Sequence, residues 1–192
     1  MRRSWLYIIG AALVVAAVVG ILLARNSGTN HADKTASKNA ASTNHSTAFP
    51  QRKACSIFTL ADAKQVLGDN AKGGETANSS SSNDLEVSAC NYTQDTGSNA
   101  PVSASDSASL LARAPKTGAG TTSNQNQFGP LKPANSEPVA GYGDNAYWDP
   151  QYGQLNILKN NTWYIVSFGP ITPASRSLDQ TKQLADILID KM

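Results

Sequence analysis

The sequence predicts an α+β domain, an antiparallel sheet packed by an N-terminal and a C-terminal amphipathic helix, displayed behind a transmembrane helix and a flexible linker. Three observations predict it. Apolar runs at 154–159 and 162–168 flank Asn160-Asn161, a pair suited to the positive φ angles of a type I′ hairpin turn. Leu60, Ala63, Val66 and Leu67 recur at helical spacing, as do Leu178, Leu184, Ala185, Ile187 and Leu188. Trp5 to Ala24 is an uncharged run of about 20 residues, the length that crosses the roughly 30 Å hydrocarbon core of a bilayer as a helix.

Residues 1–4 read as a cytoplasmic stub carrying Arg2 and Arg3, and residues 5–24 as the membrane span, with Trp5 and Tyr7 at one interface. A cleaved signal peptide is the rival reading. Its apolar stretch runs about 7–15 residues and ends in a small-x-small site. Here the run is longer and ends Leu22-Leu23-Ala24-Arg25, so an uncleaved anchor is expected. No Cys follows it to carry a lipid. Residues 25–50 are rich in Ser, Thr, Asn and Ala and have no large apolar residue before Phe49, which describes a disordered linker. Both histidines, His31 and His45, fall there.

The domain is expected over 51–192. Its first helix begins at Thr59, where Asp62 completes a capping box, and stops at Gly68. Residues 70–83 read as a loop, and Leu85 to Tyr92 alternates like a strand. Ser105 to Ala114 reads as a short helix using Leu110 and Leu111, and Lys116 to Gln127, with almost nothing to bury, as a mobile loop. Ala146-Tyr147-Trp148 begins a strand. In the strand from Thr162, Trp163 and Ile165 face one side and Tyr164, Val166 and Phe168 the other, so it is central. Ser177 caps the last helix, whose Lys182, Asp186 and Asp190 stay outside.

The formal charge of +2 for the whole chain conceals its distribution. From residue 51 onward there are 11 Lys and Arg against 13 Asp and Glu, a net of −2 (11 − 13). No basic stripe remains to neutralise phosphates, and no nucleic-acid partner is expected. The expected partners are the bilayer, through residues 5–24, and an envelope ligand or protein.

Cys55 and Cys90 are the two cysteines. Without nearby His or a CxxC pair they do not make a zinc site, leaving a disulfide or two free thiols. The even count behind an export-type N-terminus favours the disulfide and an extracytoplasmic domain. It would close a loop of about 35 residues, contributing roughly 3–4 kcal/mol on chain-entropy grounds.

Few residues have the pattern of a chemical site. Gly141-Tyr-Gly143-Asp-Asn-Ala146 fits G-x-G-x-x-A, but Tyr147-Trp148-Asp149-Pro150 follows instead of a helix, so it reads as a turn before a strand. Asp144 and Asp149 form a conceivable carboxylate pair for glycoside hydrolysis, though Asp144 better suits a turn. No G-x-S-x-G occurs, the domain has no His base, and no Asp-rich loop has calcium spacing, so no catalytic residue, cofactor or metal is expected. The aromatics Tyr142, Tyr147, Trp148, Tyr152, Trp163 and Tyr164 cluster. Most are expected to fill the core. Tyr142 and Tyr152, beside glycines in turns, are the pair expected at the surface to contact a ligand.

The segments Cys55-Ser-Ile-Phe-Thr-Leu-Ala-Asp62, continuing to Leu67-Gly68, then Cys90-Asn-Tyr92, then Val139-Ala-Gly141-Tyr-Gly143-Asp144-Asn-Ala146-Tyr147, resemble a class of small secreted bacterial domains. These are best known among actinobacterial, including mycobacterial, cell-envelope lipoproteins of unknown function. The resemblance spans most of residues 53–190. It implies a disulfide between Cys55 and Cys90 and supplies no catalytic residue. This chain departs from it in using a transmembrane helix where the class has a lipid-bearing Cys. The functional expectation is a tethered binding or interaction module of the envelope. The rivals are an envelope-polymer hydrolase using Asp144 and Asp149 and an accessory subunit of a membrane complex.

Overall fold

A computed structural model describes residue 49 and residues 52–76, 79–97 and 105–192. The expected stub, the expected span and all of the expected linker but Phe49 lie outside the described residues. Among the described residues, no helix is long and apolar enough to cross a membrane.

In chain order the elements are α1 (Ala54–Ile57), α2 (Leu60–Leu67), β1 (Ala71–Glu75), β2 (Ser80–Ser81), β3 (Leu85–Gln94), β4 (Asp106–Pro115), α3 (Gly118–Phe128), β5 (Glu137–Pro138), β6 (Asn145–Asp149), β7 (Gln154–Lys159), β8 (Thr162–Pro170) and α4 (Leu178–Leu188). Short 3-10 turns at Pro173–Ser175 and Ile189–Lys191 flank α4. The sheet has eight strands in the order β1-β3-β4-β8-β7-β6-β5, with β2 also paired to β3. Every pairing is antiparallel.

The hairpin forms where its turn residues place it. Asn160 and Asn161 take φ of 50° and 63°, and Lys159 pairs with Thr162 across the turn. That register makes β8 central, and all of Thr162 to Gly169 is buried. Strand alternation sorts its side chains as the sequence predicts. Tyr164, Val166 and Phe168 join Leu110, Cys90, Tyr92, Leu155 and Ile157 on the face that α1, α2 and α4 cover. Leu184, Ala185 and Leu188 bring α4 onto that face, and the Thr181 hydroxyl exchanges hydrogen bonds with the Phe168 backbone.

The caps are local and act as expected. The Thr59 hydroxyl accepts from Asp62 N–H while Asp62 Oδ2 accepts from Thr59 N–H, closing the capping box of α2. The Ser177 hydroxyl accepts from Gln180 N–H to start α4. The disulfide expected between Cys55 and Cys90 is present and ties α1 to β3.

Three expectations need correction. Residues 70–83 are not wholly a loop, since β1 and β2 lie within them. Residues 105–114 are not a helix. Asp106–Pro115 is the strand β4, whose Ala108, Leu110, Ala112 and Ala114 alternate inward between β3 and β8. Alanine's helical preference, a few tenths of a kcal/mol per residue, is overridden by burial between two strands. Residues 116–127 are not a loop, since Gly118–Phe128 is the helix α3, capped by the Thr117 hydroxyl. Its sequence, rich in Gly, Thr and Asn, is a poor helix former, and the bonds that hold it are tertiary.

Candidate binding site

The sheet's second face is built from the alternate residues of the same strands. Arg113 of β4 pairs with Trp163 of β8, and Trp163 with Leu158 of β7. One row along, Ile165 pairs with Asn156, and Asn156 with Tyr147 of β6. α3 lies across this end of the face. Its Phe128 ring stands 5.0 Å from Tyr147 and 5.4 Å from Trp163. The Asn124 side-chain amide donates to the carbonyls of Arg113, at 2.8 Å, and Asn161, at 2.7 Å. Helix, strand and hairpin turn are thus joined through one side chain that is fully buried.

Arg113 lies at the centre. It is 2% exposed, with its guanidinium carbon 5.8 Å from the centre of the Trp163 ring. Nη2 donates to the Ser123 hydroxyl at 3.0 Å. Among the described residues Nη1 has no hydrogen-bond partner, and neither do Asn124 Oδ1 and the Thr121 hydroxyl. Among the described residues no carboxylate pairs with Arg113. Burial alone lowers its pKa to about 10, because the charged form gives up water without gaining a counter-charge. Arg176 makes an instructive contrast. Among the described residues it too has no carboxylate partner, but it donates to the Pro170 carbonyl at 2.9 Å and the Ser107 hydroxyl at 3.1 Å, so it fastens the ends of β4 and β8.

Around this centre, Trp163 Nε1 donates to Asn156 Oδ1 at 3.0 Å, and the Lys132 ammonium sits 5.7 Å from the Tyr147 ring centre. Burial, aided by the charge of Asp149, raises the Tyr147 phenol well above its usual range. A cation, aromatic rings and side-chain amides together can recognise an anionic group on a flat or ring-shaped body.

The residues singled out from sequence fall elsewhere. Tyr142 was expected at the surface and is instead 8% exposed, within the main core cluster. Its hydroxyl donates to Asp186 Oδ1 at 2.7 Å, and burial with this bond raises its pKa strongly. The turn that carries it folds back under α4, which an argument from neighbouring glycines could not foresee. Tyr152 is half-buried, in the tight turn between β6 and β7.

Asp144 is exposed and accepts from Asn160 N–H at 3.0 Å, fastening the Gly141–Asp144 turn to the hairpin. Asp149 is buried and accepts from the N–H groups of Gln151 and Tyr152. The two lie at opposite ends of β6, so their Cα atoms are about 17 Å apart at the usual rise per strand residue. A glycosidase pair brings its carboxyl groups to roughly 5–10 Å of each other across one sugar, whereas these two carboxylates are held by turn bonds at opposite ends of β6. Gly141 and Gly143 adopt φ of 91° and 61°, and a Cβ on Gly143 would meet the Leu158 carbonyl oxygen at 2.5 Å. The glycines therefore make a turn running into a strand, with no phosphate-binding helix behind it.

Sequence reasoning missed Arg113, Asn124 and Phe128. The available signal was an arginine amid the alternating residues 110–114, visible only once that segment is read as a strand. Comparisons with known protein families, with characterised proteins and with solved structures find no match to this chain.

Proposed function

We propose that the chain is a membrane-tethered, extracytoplasmic binding module of a bacterial cell envelope, akin to the disulfide-containing domains of envelope lipoproteins, with residues 5–24 as its anchor. The observation that carries this reading is the Cys55–Cys90 bond between α1 and β3, since such a bond persists in an oxidising compartment. A binding role draws support from the second sheet face, where Arg113 keeps an open donor beside Trp163. The carboxylates that a hydrolase would need are instead spent on turns, Asp144 on Asn160 and Asp149 on Gln151 and Tyr152.

The test uses the full chain expressed in a bacterial inner membrane. Protease added outside intact spheroplasts should digest the domain, and non-reducing electrophoresis should show the thiols oxidised. Detergent-solubilised protein should then be retained on isolated envelope polymer. A domain protected from external protease, with both thiols open to alkylation, would overturn the reading.

A further inference from the structure

The polar surroundings of Arg113 have an unmet demand. A buried guanidinium ordinarily finds a carboxylate or a set of carbonyls, because leaving it bare forfeits its hydration with nothing in return. Arg113 has one hydroxyl, one aromatic face and an idle Nη1. Asn124 Oδ1, an acceptor, and the Thr121 hydroxyl are idle too, and both belong to the helix lying over it.

Beyond its polar ties and Phe128, that helix buries little apolar surface. Of its eleven residues only Gly120, Asn124 and Phe128 are buried, and none is Leu, Ile, Val or Met. Gly118 and Gly120 lie in its first turn and Gly129 follows it. Glycine weakens a helix relative to alanine. Segments with few buried apolar contacts are those that open locally.

We propose that α3 is the cover of a carboxylate-binding site, in which Arg113 receives the acid group and Trp163, Tyr147 and Phe128 flank the ring-shaped body that bears it. The ligand is an organic acid built on a flat or sugar ring, either free or as the acidic sugar of an envelope polymer. Its carboxylate takes the donor that Nη1 leaves open, and its hydroxyls suit Asn124 Oδ1 and Thr121. The site rests on the reading of the domain as a binding module and names the chemistry of its ligand.

The experiment uses the full chain in detergent micelles, with sodium benzoate, sodium glucuronate and polygalacturonate as probes and sodium chloride at equal ionic strength as the blank. At about ten times its Kd a bound acid should raise Tm by roughly 5 °C, saturably, with a change in tryptophan fluorescence. R113M should abolish the rise. G118A, whose added methyl meets nothing within 4 Å, leaves the site intact but stiffens the cover. It should slow association and dissociation alike by up to about fivefold and leave Kd unchanged. This kinetic readout stands even if R113M fails to fold. A response to the free acids points to a soluble ligand, and a response to polygalacturonate alone points to the polymer; either supports the site. The site is overturned if no acid gives a saturable response, or if R113M responds as the wild type does. Retention on envelope polymer in the absence of any saturable acid response would sink this site while sparing the binding-module reading. A wild type that is neither retained nor shifted by any acid would remove both.

Discussion

Arg113 and Trp163 are cross-strand partners on the face of the sheet that α3 covers, with the guanidinium carbon 5.8 Å from the indole centre and Nη1 unbonded. The pair combines a good contact with an unpaid charge. Cation–π attraction offsets part of the desolvation, worth up to about 2 kcal/mol when buried. It supplies no acceptor.

Replacing this arginine should therefore stabilise the free protein. Arg113→Met keeps the apolar stem and removes the uncompensated charge. The expected gain is about 1–2 kcal/mol in urea unfolding at pH 7, against the usual loss for a core substitution. The pH dependence has a definite sign. The folded pKa, about 10, lies below the ordinary 12.5, so the folded state releases its proton first. The wild type then gains stability as pH rises from about 9, while the unfolded chain still holds the proton. The advantage of R113M should shrink between pH 8 and pH 10.5. A gap that widens over that range would contradict a bare buried charge.

The cover helix offers a paired test, because two of its glycines differ in their surroundings. A Cβ on Gly120 would lie 2.1 Å from the Asp84 carbonyl oxygen, so G120A must shift the start of α3 away from the turn before β3. G118A meets open space. The expected outcomes are a loss of about 1–3 kcal/mol for G120A and a gain of up to about 1 kcal/mol for G118A. Amide exchange of α3 should quicken in the first and slow in the second.

These contrasts also explain how much was legible beforehand. The hairpin, the capped helices and the two faces of β8 rest on neighbours in sequence: Asn160-Asn161, Thr59 with Asp62, and the alternation from Trp163 to Phe168. Each signal lies within a few residues of its effect. β4 is different. Its Ala108, Leu110, Ala112 and Ala114 become a strand pattern only when β3 and β8 stand on either side. α3 is held by Asn124 reaching Arg113 and Asn161, 11 and 37 positions away. The binding face inherits both obscurities, since its cation comes from β4 and its cover is α3.

Tyr142 bears on how binding experiments should be read. Because the hydroxyl of Tyr142, a core-cluster side chain, donates to the exposed Asp186 carboxylate, Y142F should cost roughly 1–2 kcal/mol, the lower part of what a hydrogen bond to a charged acceptor contributes. Y142A should cost about 3–5 kcal/mol through the added cavity. Lost binding in Y142A would then report unfolding. Circular dichroism melts of Y142F beside D186N check this, and the two losses should not add if the bond is shared.

The last prediction concerns the seam between the ends of the domain. Lys191 donates to Asp62 Oδ1, and Arg52 donates to the Lys191 carbonyl, so the C-terminal turn closes onto α2. Burial disfavours the charged form of Asp62, but the Lys191 ammonium and the Thr59 amide and hydroxyl outweigh it. The carboxyl is held below its ordinary 3.8. A depressed carboxylate stabilises the fold at pH values above the unfolded pKa and loses that contribution as pH falls through the folded one. D62A should cost about 1–2 kcal/mol at pH 7, mostly from the capping box. K191A should cost less, since the lysine end of the pair is 43% exposed. The ionic share of the D62A penalty should fade as the pH drops below about 4 in guanidinium unfolding. A penalty as large at pH 2.5 as at pH 7 would place the whole effect in the neutral Thr59 contacts and leave the Lys191 seam energetically silent.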